Sequence, residues 1–259
     1  MRGISGRRAI VVGGAQGIGR ATADRIVAEG GSVMIVDVSA EHAESAVTEI
    51  NATAGRAAAR HFVADISDEA SVIRAVDTTV ETLGGLDFLV NCAAVFIMRG
   101  LEATVEEWRR IMDVNIMGQA LCVKHAAPRM TSPRGGSIVN IASISGHIAQ
   151  PGYLTYNATK AAVANMTRCM AMDLARSGIR VNAVNPGTVW NKNNERYHRE
   201  ELGLTREQAD NHADIGGRHM LGRVADPEEI ASTVVFLLSD DAGYITGENL
   251  MVDAGYTAM

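Results

Sequence analysis

Cysteine is scarce in this chain, and its scarcity excludes several classes at once. The 259 residues hold three cysteines, Cys92, Cys122 and Cys169, an odd and scattered set. Such a set makes neither a disulfide framework nor a zinc site, and no metal centre is expected. It suits small buried apolar residues in a reducing compartment. No apolar run approaches the roughly 18 residues that a membrane span needs. The basic start, Met1 to Arg8, leads only to the short run Ala9–Val12 before glycines, so no signal peptide is read there. A basic excess is also missing. The net charge of −6 argues against a dominant nucleic-acid surface and gives no attraction to an anionic membrane. Repeats, low-complexity tracts and linker-like breaks are absent. The expectation is a cytoplasmic protein with a small-molecule partner.

The residues that are plentiful suit a packed core. Hydrophobic residues make up 47% and charged residues 21% of the chain, ordinary values for a globular domain. Apolar runs at 9–12, 33–36, 59–64, 88–90, 137–141, 179–184 and 249–252 predict strands. Helix-length stretches lie between them, at about 18–28, 40–54, 67–83, 105–112, 114–130, 153–177 and 227–238. Continuous apolar strands separated by helices predict a parallel sheet covered on both faces, a doubly wound α/β fold in one domain. Residues 190–223 break this rhythm with Asn, His, Arg and Glu. Long irregular segments in compact domains are often functional, so a substrate lid is expected there.

The first strand runs into Gly13-Gly14-Ala15-Gln16-Gly17-Ile18-Gly19. Glycines at a strand end permit a tight turn and close backbone approach. The helix that follows turns its N–H groups and positive dipole end toward a pyrophosphate. The spacing G-x-x-x-G-x-G differs from the common fingerprint, but strand before, helix after and acid beyond supply the required context. That acid is Asp37, at the end of the second strand. Its carboxylate suits the two adenosine ribose hydroxyls and repels a 2′-phosphate. Neither Gln16 nor Val38 offers a cation for such a phosphate, so NAD is expected over NADP.

Tyr156 and Lys160 lie four residues apart in Tyr156-Asn157-Ala158-Thr159-Lys160, on one helix face. A phenol is a poor base near neutral pH, and a neighbouring ammonium favours its ionised form. The pair can place a proton donor and acceptor beside an alcohol or carbonyl. Ser143 sits just past the end of a predicted strand, at the sheet edge where ligands bind in open parallel sheets.

With Asp65, Asn91-Cys92-Ala93-Ala94, Asn115 and Asn185-Pro186-Gly187 added in order, and thirteen residues between Ser143 and Tyr156, the chain resembles the short-chain dehydrogenase/reductase family in its compact form. The resemblance covers nearly the whole chain and implies a Rossmann-like sheet of about seven strands. It implies that Tyr156 is the general acid/base, that Ser143 holds the substrate oxygen, and that Lys160 binds the nicotinamide ribose and lowers the Tyr156 pKa. Asn115 would hold a proton-relay water. The implied cofactor set adds Asp65 and Ile66 at the adenine, Asn91 and Ala93 along the central strand, and Pro186, Gly187, Val189 and Asn191 at the nicotinamide, to Gly13, Gln16, Gly17, Ile18, Gly19 and Asp37. The chain departs from the family pattern at Val12, Cys92, Ala94, Asn191 and Ala254.

Position suggests Phe96, Ser145, His147, Tyr153 and Trp190 for a substrate pocket, with Met98 and His198 nearby. Such walls suit a small, partly polar secondary alcohol or ketone. Lys192, Arg196 and Arg199 could draw an acidic or sugar-acid substrate. The expected activity is NAD-dependent oxidation of a polyol, sugar or hydroxy acid. A 3-oxoacyl-carrier type of carbonyl reductase and a non-catalytic dinucleotide sensor are the alternatives. The resemblance also implies a homotetramer, with a homodimer as the alternative.

Overall fold

The computed structural model describes residues 1–191 and 203–259. The apolar runs form β1 (Arg8–Val12), β2 (Ser32–Asp37), β3 (Ala59–Val63), β4 (Phe88–Asn91), β5 (Gly136–Ile141), β6 (Ile179–Pro186) and β7 (Asn249–Val252). They make one seven-stranded sheet in the order β3-β2-β1-β4-β5-β6-β7. Every pairing is parallel. This is the Rossmann-like, doubly wound arrangement that the strand–helix alternation predicts.

Residue alternation along each strand divides the core in two. Ala9, Val11, Val33, Ile35, Val90 and Val139 point to one face and pack with Ile26, Ile230 and Val234. Ile10, Met34, Leu89, Ile138 and Val181 point to the other and pack with Val72, Val114 and Val123. Helices α1 (Gly17–Ala28), α2 (Ala40–Ala54) and α8 (Pro227–Leu238) thus cover the first face. Helices α3 (Glu69–Leu83), α4 (Val105–Met112), α5 (Gln119–Ala126) and α6 (Leu154–Leu174) lie on the second side.

Local chemistry sets the helix ends. Ser39 caps α2 by accepting the His42 N–H, and Gly55 ends it in the left-handed region. Asp68 caps α3 through the Ala70 and Ser71 amides. The Ser67 start expected for that helix is corrected here, because the Ser67 hydroxyl turns back to Asp65 at 2.6 Å. Thr104 and Glu107 form a reciprocal capping box on α4.

Three further differences from expectation have physical reasons. The break expected between 112 and 114 is instead a π-helical stretch, Asp113–Gly118, that joins α4 to α5 without a turn. Helix α5 stops at Ala126 and gives way to a 3-10 turn, Ala127–Arg129, because Pro128 has no N–H to continue it. A short helix, α7 (Arg206–Asn211), stands inside the irregular segment. Its capping box, Thr205 with Gln208, was there to be found. The cysteines also differ from expectation: only Cys122 is buried, Cys92 is half-buried and Cys169 is exposed. Ala254 has φ +50°, so the side chain that replaces a family glycine sits in the left-handed region. No helix among the described residues is long and apolar enough to cross a membrane.

Candidate active site

The strand order reverses between β1 and β4, so their C-terminal ends open a crevice at the switch point of the sheet. A cavity of about 400 Å³ lies there. Of the residues expected to hold a cofactor, Gly13, Gln16, Gly17, Ile18, Asp37, Asp65, Ile66, Ala93, Tyr156, Lys160, Pro186, Gly187, Val189 and Asn191 line it.

The glycine turn is shaped by close approach. Gly13 has φ +72°, and a Cβ there would stand 2.6 Å from the Ala93 nitrogen. A Cβ on Gly19 would fall 2.1 Å from the Gly13 carbonyl oxygen, which explains why Gly19 packs behind the turn and does not line the cavity. Helix α1 begins at Gly17 and directs its first N–H groups into the crevice, a setting for an anion. Asp37 is held by main chain. Its Oδ2 accepts the Ala15 N–H and its Oδ1 accepts the Ser39 N–H, both at 3.1 Å. Each oxygen keeps a further lone pair for a hydroxyl donor. These features fit a nicotinamide dinucleotide, with the backbone cradle at the pyrophosphate and the carboxylate at a ribose.

The catalytic end is built by β5 and α6. Ser143 follows β5 in extended backbone, and its Oγ accepts the Ser145 N–H at 3.1 Å. The Tyr156 side chain shares the cavity wall with Ser143. One turn further along α6, the Lys160 ammonium stands 5.5 Å from the Tyr156 ring centroid and donates to the Ile141 carbonyl at 2.8 Å. The Phe96 ring stacks on Tyr156, with centroids 5.3 Å apart and planes 23° apart. Burial pushes the Tyr156 phenol above its ordinary value, more than the neighbouring Ser143 hydroxyl draws it down. Burial also lowers the Lys160 ammonium, to about 8.

Asn115 and Asn91 sit behind the cavity and do not line it. Asn115 is fully buried; its Oδ1 accepts the Val95 N–H at 2.8 Å, and its Nδ2 donates to the Val95 carbonyl at 3.0 Å and to Thr159 Oγ1 at 3.3 Å. Its side chain clips the loop after β4 to α6. Asn91 donates to Asn140 Oδ1 at 2.9 Å and ties β4 to β5.

Of the five substrate candidates, Phe96 alone lines the cavity. The Ser145 hydroxyl donates to Gln150 Oε1 at 2.7 Å, and His147 Nε2 meets Asn185 Oδ1 at 3.1 Å. Tyr153 stands close enough to act electrostatically on Tyr156. The Trp190 ring lies under the Arg206 guanidinium, 5.7 Å from its centroid. Lys192, Arg196, His198 and Arg199 lie outside the described residues.

Sequence reading missed Ser39, His42, Val95, Arg110 and Val114 as cavity residues. No sequence signal marks Arg110, whose place on the cavity depends on its meeting with Asp65.

The chain is similar to known oxidoreductases. The family model described as enoyl-(acyl carrier protein) reductase matches residues 13–257. The cis-4-hydroxycyclohexanecarboxylate dehydrogenase of Sinomonas cyclohexanicum is 40% identical over 257 residues, 98% of this chain and 97% of that protein. The 2,5-dichloro-2,5-cyclohexadiene-1,4-diol dehydrogenase of Sphingobium indicum is 39% identical over 264 residues and covers 100% of both chains. Among solved structures, that of levodione reductase superposes with a TM-score of 0.90 at 33% identity, over 98% of each chain.

Proposed function

The chain belongs to the short-chain dehydrogenase/reductase family of oxidoreductases, and from that premise we propose that it oxidises a secondary hydroxyl on a small alicyclic molecule, with NAD as hydride acceptor. The observation that carries the reading is the meeting of Ser143, Tyr156, Lys160 and Asp37 on the wall of one cavity at the switch point of the sheet. The relatives' names supply the ring: a hydroxycyclohexanecarboxylate, a cyclohexadienediol and levodione.

Each residue has a role in this reading. The Gly13–Gly19 turn and the N-terminus of α1 hold the pyrophosphate. Asp37 takes the adenosine ribose, Asp65 and Ile66 the adenine, and Pro186, Gly187, Val189 and Asn191 the nicotinamide. Lys160 has spent one of its three N–H groups on Ile141 and keeps two for the nicotinamide ribose hydroxyls. Tyr156 takes the proton of the substrate hydroxyl as its carbon gives up hydride. Ser143 holds the same oxygen, its own Oγ fixed by the Ser145 amide. The bound nicotinamide supplies hydride acceptance and, when oxidised, a positive ring. That charge and the Lys160 ammonium favour the phenolate against the burial that opposes it. Asn115 acts here as a positioning residue that fixes the loop carrying Phe96.

Segment 190–223 is assigned to cover the substrate, supported by Asn191 on the cavity wall and by Arg206 packed on Trp190. Unpaired cysteines suit a cytoplasmic setting. Exposed Met112, Met117, Leu154 and Met172 support self-association through α4 to α6, in a homotetramer or else a homodimer.

The test is NAD reduction, followed by absorbance, over cyclohexanols, cyclohexanediols, polyols, sugars and hydroxy acids, with Tyr156→Phe as control. Turnover with the ring alcohols that Tyr156→Phe abolishes supports the reading. Turnover that survives Tyr156→Phe refutes the proton path. The description of the matching family model favours, as a second reading, reduction of a carrier-linked acyl substrate; NADH oxidation with acyl-carrier thioesters and none with cyclic ketones would establish it instead.

A further inference from the structure

Arg110 and Asp65 face one another across the rim of the cavity on the β3 side, the side of the sheet away from β5 and Tyr156. Arg110 Nη1 stands 3.4 Å from Asp65 Oδ2 and 3.3 Å from Ser67 Oγ. Asp65 Oδ1 is engaged on its own loop, where it accepts the Ser67 N–H at 2.9 Å and the Ser67 hydroxyl at 2.6 Å. A carboxylate oxygen accepts about two hydrogen bonds. One acceptor position is therefore left, on Oδ2, beside the bond from Arg110.

That geometry has consequences for a base bound in the cavity. A single acceptor position matches one N–H donor, such as the 6-amino group of adenine. It opposes the 6-oxo group of hypoxanthine, which offers only lone pairs. Arg110 also carries the one guanidinium among the described residues that line the cavity, where Asp37 and Asp65 both present carboxylates to an anionic ligand. The Arg110 and Asp65 side chains are 49% and 38% exposed, so their ion pair adds little to folding stability. The value of the pair lies in what it presents to a ligand.

We propose that Arg110 is a positioning residue for the base: it fixes the Asp65 carboxylate so that one acceptor reads the 6-amino group of a purine. This rests on the dinucleotide reading of the cavity given above. The family resemblance puts the adenine at Asp65 and Ile66; the structure adds Arg110 on α4 beside the Asp65 carboxylate, and the discrimination follows from that pair.

The test needs no alcohol substrate. Dissociation constants are measured by fluorescence titration for NADH and for reduced nicotinamide hypoxanthine dinucleotide, with wild type, Arg110→Ala and Arg110→Lys. Wild type is expected to prefer NADH by about tenfold, the discrimination typical of one well-placed hydrogen bond. Arg110→Ala is expected to weaken NADH binding about five- to thirtyfold, the range of a charge-assisted contact, and to shrink the preference to within about twofold. Arg110→Lys, the fallback should the alanine variant fold poorly, is expected to be intermediate in both. A preference kept at the wild-type ratio in either variant overturns the proposal, even if both affinities fall together, because a loss of charge alone weakens both ligands alike. Wild-type protein that binds neither NADH nor NADPH overturns the dinucleotide reading itself and the proposal with it.

Discussion

Lys160 donates to the Ile141 carbonyl at 2.8 Å while its ammonium stands 5.5 Å from the Tyr156 ring centroid. The lysine is thus anchored to the end of β5 and reaches the phenol as a nearby charge, not as a hydrogen-bond donor to it. Burial raises Tyr156 and lowers Lys160 to about 8. Alcohol oxidation needs the phenolate, so kcat/KM for the alcohol should rise with pH. Ketone reduction needs the phenol and should fall over the same range. Lys160→Met removes the cation, and the oxidation profile should then rise at least about one pH unit later, with kcat at pH 7 down about a hundredfold or more. An unmoved midpoint would show that Lys160 serves only to bind the cofactor.

Asp37 is the second point of leverage. Main-chain amides of Ala15 and Ser39 fix its two oxygens, so the carboxylate cannot swing away from a 2′-phosphate. Wild type should prefer NAD in kcat/KM. Asp37→Ser keeps a small polar group and removes the charge. It should raise KM for NAD about tenfold and bring the ratio of NAD to NADP efficiency down by about a hundredfold, the scale of one or two lost charge-assisted hydrogen bonds plus relieved repulsion. A wild-type preference for NADP would refute the assignment outright.

Much of this was legible in the residues. Strands β1, β2, β4, β5 and β6 were readable because each is a short, mostly buried run, and α2 because Gly55 stops it. Gly13, Asp37, Tyr156 and Lys160 were readable because their chemistry is tied to fixed spacing. Arg110 was not. Its role depends on where an exposed arginine on α4 meets an aspartate 45 residues earlier, and no local pattern encodes that meeting. The same holds for Asn115. Sequence marks it as special, but only the fold reveals that its amide is spent on Val95. The partners of His147 and Trp190, Asn185 and Arg206, likewise lie far off in sequence and are set only by the fold.

Phe96 covers one face of the Tyr156 ring and is itself 48% exposed. An alicyclic substrate whose hydroxyl reaches Tyr156 would lie against that exposed ring. Phe96→Ala should raise KM for cyclohexanol-type substrates about tenfold, the cost of losing most of one aromatic contact surface. It should change KM for a short open-chain alcohol such as 2-butanol by less than about threefold, since less of its surface reaches the ring. Equal losses on both substrates would mean that Phe96 acts by holding Tyr156 in place and not by meeting the ring.

Asp87, fully buried just before β4, ties the N-terminal end of the sheet together. Its Oδ2 accepts the Arg8 main-chain N–H at 3.0 Å and the Arg8 guanidinium at 2.7 Å, and Arg7 Nε stands 3.1 Å from Oδ1. Burial is the largest influence on the carboxyl and acts to raise it. The Arg8 hydrogen bonds and the charges of Arg7 and Arg8 together outweigh burial and hold it below the usual carboxylate range. Arg7 is drawn down by its own burial, yet an arginine stays charged under all relevant conditions. A carboxyl whose folded pKa lies below its unfolded value of about 3.9 stabilises the fold fully above that value. The contribution is lost as pH falls through the lower, folded value. Asp87→Asn should cost about 3–5 kcal/mol at pH 7, because it leaves a buried guanidinium without its counter-charge. It should also flatten the fall of the urea midpoint below about pH 4, where wild type gives up this interaction. The check is a series of urea denaturations from neutral to acid pH on both proteins. Curves that fall in parallel would assign the acid sensitivity to other carboxylates.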